Sequence, residues 1–345
     1  MVTIAAAINR KRTKLVLATL LLLQLLTIAV LGCTTQKAEP DHVRVVALPY
    51  IGFATFYIAQ EEGYFAKQGL EVEFAKFPTV SQAIPLLAQG SLDVALGESA
   101  GVINAIARGM NVRIVGGGAY FGADCEALSL MARRDLYTSG ELDTVAEIKG
   151  KKIATGSVGG TADFVLTKIL AADGVALDSI TLVKMTPQDM IAALENKAID
   201  AVIVGSPNNQ QIKAMGYANT LKSAENLMPG FQQGLLMFGQ RLLADKPELG
   251  KKFMVAYLQG CRQYNQGKVK RNLEIIEKYT GLDKATLLQS CWYPFYPDGR
   301  IKAEDILIFQ DWAYDNNFVD KKTTMEQLVD TRFIEYANKV LGSVQ

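Results

Sequence analysis

The chain has 345 residues, of which 49% are hydrophobic and 21% charged, with a formal net charge of +1. That length allows two domains with full cores, and the balanced charge leaves no basic footprint for a nucleic acid. A single histidine, His42, excludes zinc sites with two or more histidine ligands and, lying in a polar stretch, argues against a histidine-based catalytic triad.

Residues 1–33 stand apart from the fold. Arg10, Lys11, Arg12 and Lys14 precede an apolar run from Leu15 to Gly32, and Cys33 closes it. A basic region, an apolar region and a small residue before a cut is the order of a secretory signal. An uncleaved membrane anchor is the competing reading, because about 18 apolar residues can just span a bilayer. Val30-Leu31-Gly32-Cys33 resembles the bacterial lipobox, although Leu31 is bulkier than the serine or alanine common there. The resemblance implies lipidation of Cys33. Residues 34–42, TTQKAEPDH, then serve as a tether, with His42 solvated in it.

From Val43 onward strand and helix alternate. Val43–Leu48 is predicted as a strand, Phe53–Glu62 as a helix with an aromatic face, and Glu71–Phe74 as a strand. The stretch Lys152–Thr161, KIATGSVGGT, organises the second half. Ile153–Thr155 reads as a short strand, Gly156, Gly159 and Gly160 as a turn, and Thr161 as the N-cap of a helix running to Ala172. A strand that ends in glycines and opens a helix aims free backbone N–H groups and a positive dipole end at one point, which suits an anion or a polar headgroup. An ordinary βα turn is the alternative. After Leu236 the chain is mainly helical, with helices predicted over Pro247–Gln266, Asn272–Tyr279 and Ala303–Asn316.

A shift of 107 residues, Val46 onto Ile153, brings Val46–Gly52 onto Ile153–Gly159, Thr79 onto Thr186, Leu87 onto Leu194 and Asp93 onto Asp200. In both copies a helix is followed by a strand, Leu92–Leu96 and Ile199–Ile203. One unchanged offset over about 50 residues predicts two similarly built lobes.

The run Pro49–Val72, PYIGFATFYIAQEEGYFAKQGLEV, resembles the opening of the solute-binding proteins of ABC importers, above all the nitrate, sulfonate and taurine group, which also contains binders of thiamine-pyrimidine precursors. Gln89–Ala95 and Lys149–Ala154 match further signposts of that family in the expected order. The resemblance implies an α/β, type II periplasmic-binding-protein fold: two lobes joined by two crossovers near Asp124–Ser129 and Gly230–Met237. Residues 43–125 and 236–345 then form lobe 1 and residues 126–235 lobe 2. It also implies a small-molecule solute, an ABC permease and ATPase as partners, a location in the periplasm or at the outer face of the cell membrane, and a monomer that needs neither cofactor nor catalysis. Two rivals remain. Pyrimidine-precursor synthases share the fold but need a histidine that the mature chain lacks in a suitable place, and a solute-sensing lipoprotein could bind without feeding a transporter.

Ligands of α/β sheets bind at strand C-termini and helix N-termini. The candidate ligand-binding residues are therefore Tyr50, Gly52, Phe53, Glu98 and Ser99 from the first lobe and Ser157, Gly159, Gly160, Thr161, Ser206 and Asn209 from the second. Members of the family often carry a tryptophan where Gly205 stands, so a ring-stacking contact is not expected there and the site is wider. A carboxylate at Glu98 would disfavour a bare oxyanion and favour a ligand bearing an ammonium or N–H group, with a surface or capping glutamate as the alternative. Arg108 and Arg113 are expected on the far side of the lobe. Cys125, Cys261 and Cys291 are read as buried small hydrophobes, and Trp292, Tyr293, Phe295 and Tyr296 as packing at a lobe's edge. The pairs Glu61-Glu62 and Lys151-Lys152 are read as solvated faces.

Overall fold

A computed structural model describes residues 41–77, 80–97, 100–123, 126–156 and 159–342. The signal segment, Cys33, Glu98, Ser99, Cys125 and Ser157 lie outside the described residues. Among those described, no helix is long and apolar enough to cross a membrane.

The described strands are β1 (Asp41–Val46), β2 (Leu70–Ala75), β3 (Val94–Gly97), β4 (Arg113–Gly117), β5 (Leu128–Arg133), β6 (Lys152–Thr155), β7 (Thr181–Lys184), β8 (Ala201–Gly205), β9 (Ala218–Ser223) and β10 (Leu235–Phe238). They form two five-stranded sheets, ordered β2-β1-β3-β10-β4 and β7-β6-β8-β5-β9. The strands matched by the 107-residue shift occupy the same places, β1 with β6 and β3 with β8. β1 pairs in parallel with β2 and β3, as β6 does with β7 and β8. Each sheet also holds one antiparallel strand, β10 against β3 and β5 against β8. β3 and β8 are buried almost throughout because helices cover both faces, so they read as continuous apolar runs.

The repetition extends to side chains. The Asp93 carboxylate accepts the Arg44 N–H at 2.8 Å, and the Asp200 carboxylate accepts the Lys152 N–H at 2.8 Å. Each is also bound by an arginine, Arg241 three residues past the end of β10 to Asp93 at 2.9 Å and Arg133 at the end of β5 to Asp200 at 3.1 Å. Asp93 is buried and Asp200 partly exposed. Asp93→Ala is therefore expected to lower stability by about 2–3 kcal/mol and Asp200→Ala by about 1 kcal/mol, since a lost bond costs most where water cannot replace it. Urea unfolding of the two variants checks the order.

Several boundaries differ from the sequence reading. β1 begins at Asp41, paired with Leu70, and includes His42 opposite Glu71. His42 thus lies on a strand and not in a tether, because the edge of β2 offers its backbone partners. Its side chain is exposed, at the end of β1 remote from the loops that follow the strand. The glutamate pair is not merely solvated: Glu61 is bound by Lys278 and the Tyr279 hydroxyl at 2.7 Å each, and Glu62 by Arg271 at 2.6 Å. Cys261 is a free, buried thiol, pushed up to about 12 by burial. Cys291 is disulfide-bonded and not a simple small hydrophobe, its partner lying outside the described residues.

The chain leaves the first sheet through residues 118–123, enters the second through 126–127 and returns at 224–234, and these crossings pair with each other. Tyr120 bridges Gln232, and the Phe121 N–H donates to the Phe231 carbonyl at 2.9 Å. The helix Ala303–Asp315, expected with lobe 1 alone, packs on both halves. Its stripe of Ile306, Phe309, Trp312 and Ala313 is buried, and Phe309 and Trp312 meet Phe164 of the helix Thr161–Ala172 with ring centroids 5.5 and 5.4 Å apart. A single apolar cluster consequently runs from Val46 and Ile84 on the first sheet's side to Leu130 and Ile203 in the second.

Candidate binding cleft

Residues at or beyond the C-terminal ends of β1, β3, β6, β7 and β8 converge on one cleft of about 870 Å³. That volume is in the range of sites for small organic ligands and far exceeds a nitrate or a tetrahedral oxyanion. The first sheet contributes Leu48, Tyr50, Gly52 and Phe53 after β1 and Leu96 and Gly97 in β3. The second contributes Gly156 and Thr161 after β6, residues 184–190 around the end of β7, and Gly205, Ser206 and Asn208 around the end of β8. Gln233, Gly234 and Ala119 of the crossings also line it, with Tyr293 and Phe295.

Of the predicted residues, Tyr50, Gly52, Phe53, Thr161 and Ser206 line the cleft. Tyr50 is 48% exposed, which leaves its ring available to a guest. Thr161 is the first helical residue, with Gly160 as N-cap. Gly159, Gly160 and Asn209 are not among the lining residues. The cause at Gly159 is Asp163, whose buried carboxylate accepts the Gly159 N–H at 2.9 Å and the Thr155 hydroxyl at 2.7 Å. The N3 carboxylate thus reaches back past the Gly160 N-cap to the residue before it. It turns the amide inward, so Gly159 does not offer it to a ligand. Gly159 also has φ +73°, and a Cβ there would meet the Phe318 ring at 3.1 Å. Asn209 is buried and spends its amide on the Glu126 carbonyl at 3.0 Å and the Ser129 hydroxyl at 3.3 Å.

Burial raises the Asp163 carboxyl above the usual carboxylate range, while the Thr155 hydroxyl, the Gly159 amide and the charge of Lys184 act the other way. Lys184 is the only cationic side chain among the described residues that line the cleft, and its charge reaches the Asp163 carboxyl. One carboxylate, Asp189, lines the same wall, its oxygen accepting the Thr186 hydroxyl at 2.8 Å. Arg108 and Arg113 are absent from the lining, as expected. Arg108 instead pairs with Asp320 at 2.5 Å.

Sequence reasoning missed the loop 184–190, Asp163, Tyr293 and Phe295. The repeat held the signal for the first, since it matches Thr79 with Thr186 just before two helices. Tyr293 and Phe295 are read from the sequence as edge packing; both also line the cleft, Phe295 while almost fully buried. Burial pushes the Tyr293 phenol well above its ordinary value, with the Glu225 charge adding to the effect and Gln233 countering it.

A family model described as NMT1/THI5 like matches residues 51–266. A protein of Brucella abortus (strain 2308), named only as a binding protein, is 25% identical over 242 residues, covering 69% of this chain and 71% of its own. The riboflavin-binding protein RibY of Chloroflexus aurantiacus is 24% identical over 219 residues, covering 62% of this chain and 59% of its own. Among solved structures, the alkanesulfonate-binding protein SsuA from Xanthomonas axonopodis pv. citri, bound to MOPS, superimposes with a TM-score of 0.69 at 20% identity, over 85% of this chain and 99% of that one. The fold is thus the two-lobe fold of periplasmic binding proteins.

Proposed function

Because the chain belongs to the NMT1/THI5-like family, we propose that it is an extracytoplasmic solute-binding protein of an ABC importer, held at the membrane by a lipid on Cys33. The observation that carries this reading is the cleft itself, built from strand-end loops of both sheets. A solute held by Tyr50 and Phe53 of one half gains Thr161, Ser206 and Lys184 of the other only when the halves approach. Binding then shifts an open–closed equilibrium by the difference in affinity between the two states. No bond is made or broken. The closed form is what the importer's membrane subunits recognise.

The solute is an aminosulfonate, an alkanesulfonate or an N-heterocycle. Among the described lining residues, one lysine on the same wall as one aspartate suits a molecule with both acceptor and donor groups better than nitrate. RibY and SsuA, which bind a heterocycle and sulfonates according to their names, bracket that range. The carboxylate of Glu98 belongs to the same proposal.

Isothermal titration with nitrate, taurine, an alkanesulfonate, a hydroxymethylpyrimidine and riboflavin tests the reading. One of the organic solutes is expected to bind at micromolar concentration or below, and Tyr50→Ala to weaken it at least about tenfold, the loss of one aromatic contact surface, with the thermal midpoint unchanged. Tight nitrate binding overturns the ligand class. Binding of the organic solute that is indifferent to Tyr50 overturns the site.

A further inference from the structure

The segment 291–296 is tied to both halves of the molecule. Phe295 bridges Ala119, and the Tyr120 N–H donates to the Pro294 carbonyl at 3.0 Å, so this segment lies as a third strand against the first crossing. Its other end reaches the second sheet. The Cys291 N–H donates to the Ser206 hydroxyl at 3.0 Å, and the Tyr293 hydroxyl donates to the Ala127 carbonyl at 2.6 Å.

Ala127 is where the first crossing enters β5, and its backbone is held from three directions. Its carbonyl also accepts the Ser206 N–H at 2.8 Å. Its N–H donates to the Glu225 carboxylate at 2.8 Å, and the same oxygen accepts the Leu128 N–H at 3.2 Å. The Tyr293 hydroxyl is thus engaged with the hinge while its ring forms part of the cleft surface. Gly205 keeps this corner open, since a Cβ there would sit 3.3 Å from the Tyr293 oxygen.

We propose that residues 291–296 are a third strap between the lobes and that Tyr293 is its positioning residue: it sets the resting separation of the lobes and passes pressure from a guest on its ring to the hinge at Ala127. The two crossings supply the path along which the lobes rotate. The Tyr293–Ala127 and Cys291–Ser206 bonds are additional links that any rotation must carry or break. This inference rests on the solute-capture reading for the guest, but the strap is a property of the empty protein.

Single-molecule energy transfer between dyes placed at Ala66 and Gln211 through non-canonical amino acids reads the separation of the lobes in the full chain. Without solute, Tyr293→Phe, which keeps the ring and removes the bond to Ala127, is expected to broaden and shift the distribution. Ser206→Ala is expected to do the same by removing the acceptor of Cys291. Riboflavin and taurine are the probes added afterwards. A distribution that stays at the wild-type position in both variants, alongside a lowered thermal midpoint, makes these contacts structural only and overturns the proposal. Should Tyr293→Phe fail to fold, the Ser206→Ala distribution alone decides it. Closure of the wild-type protein by either probe supports the solute-capture reading, while failure of both excludes only riboflavin and taurine as solutes and leaves the strap result standing.

Discussion

Gly117→Ala is expected to destabilise the protein by about 3 kcal/mol or more, the range of a substitution that forces atoms into a filled space. Gly117 ends β4 where the first crossing leaves the sheet. A Cβ there would fall 2.1 Å from the Arg300 carbonyl oxygen and 2.2 Å from the Gln232 side-chain nitrogen. The nearer obstacle is backbone and cannot swing aside. Gln232 is itself engaged, its amide donating to the same Arg300 carbonyl at 3.0 Å and its backbone N–H to Asp305 at 2.7 Å. Similar crowding surrounds Gly118, whose Cβ would lie 2.7 Å from the Gly234 carbonyl carbon. Urea denaturation of Gly117→Ala and Gly118→Ala, with Gly150→Ala as a control for positive φ without crowding, separates close packing from backbone preference. A cost for Gly117→Ala below that of Gly150→Ala contradicts the account.

Asp163→Ala is the second large effect. It takes the acceptor from the Thr155 hydroxyl and the Gly159 N–H, at a cost of about 2–4 kcal/mol for two bonds to a buried carboxylate. It also releases the loop that carries Thr161 into the cleft, so solute affinity should fall together with stability. Asp163→Asn separates the two effects, because its amide oxygen can still accept one of the bonds. The sign of its pH dependence is fixed by the direction of the shift. Burial raises the folded-state carboxyl above its unfolded value, so the wild type loses part of its stability as pH rises from the ordinary carboxylate range through the raised value. Asp163→Asn should remove that falling limb, which unfolding measured between pH 4 and pH 8 will show.

The fold was legible because its strongest signal is repetition. The offset that placed Asp93 on Asp200 also places two carboxylates with the same backbone duty in two sheets of the same order. Tyr50, Phe53 and Ser206 were legible for a related reason, since residues following parallel strands must emerge at the sheet end where ligands bind. Gly159 was misread because its sequence shows only flexibility, while the direction of its N–H depends on Asp163 four residues on. Residues 291–296 were misread because prolines and aromatics carry no helical or strand period. Their pairing with Ala119 and Ala127 spans about half the chain. The helix Ala303–Asp315 shows the same limit, since its apolar stripe announces a buried face without saying that two lobes share it.

A crystal structure of the protein with the small molecule that co-purifies with it is the most direct test of solute capture. The account predicts that molecule between the lobes, touching Tyr50 from the first sheet and Thr161 or Ser206 from the second. A molecule bound on an outer face, or held by one sheet's loops with the other lobe turned away, would contradict it.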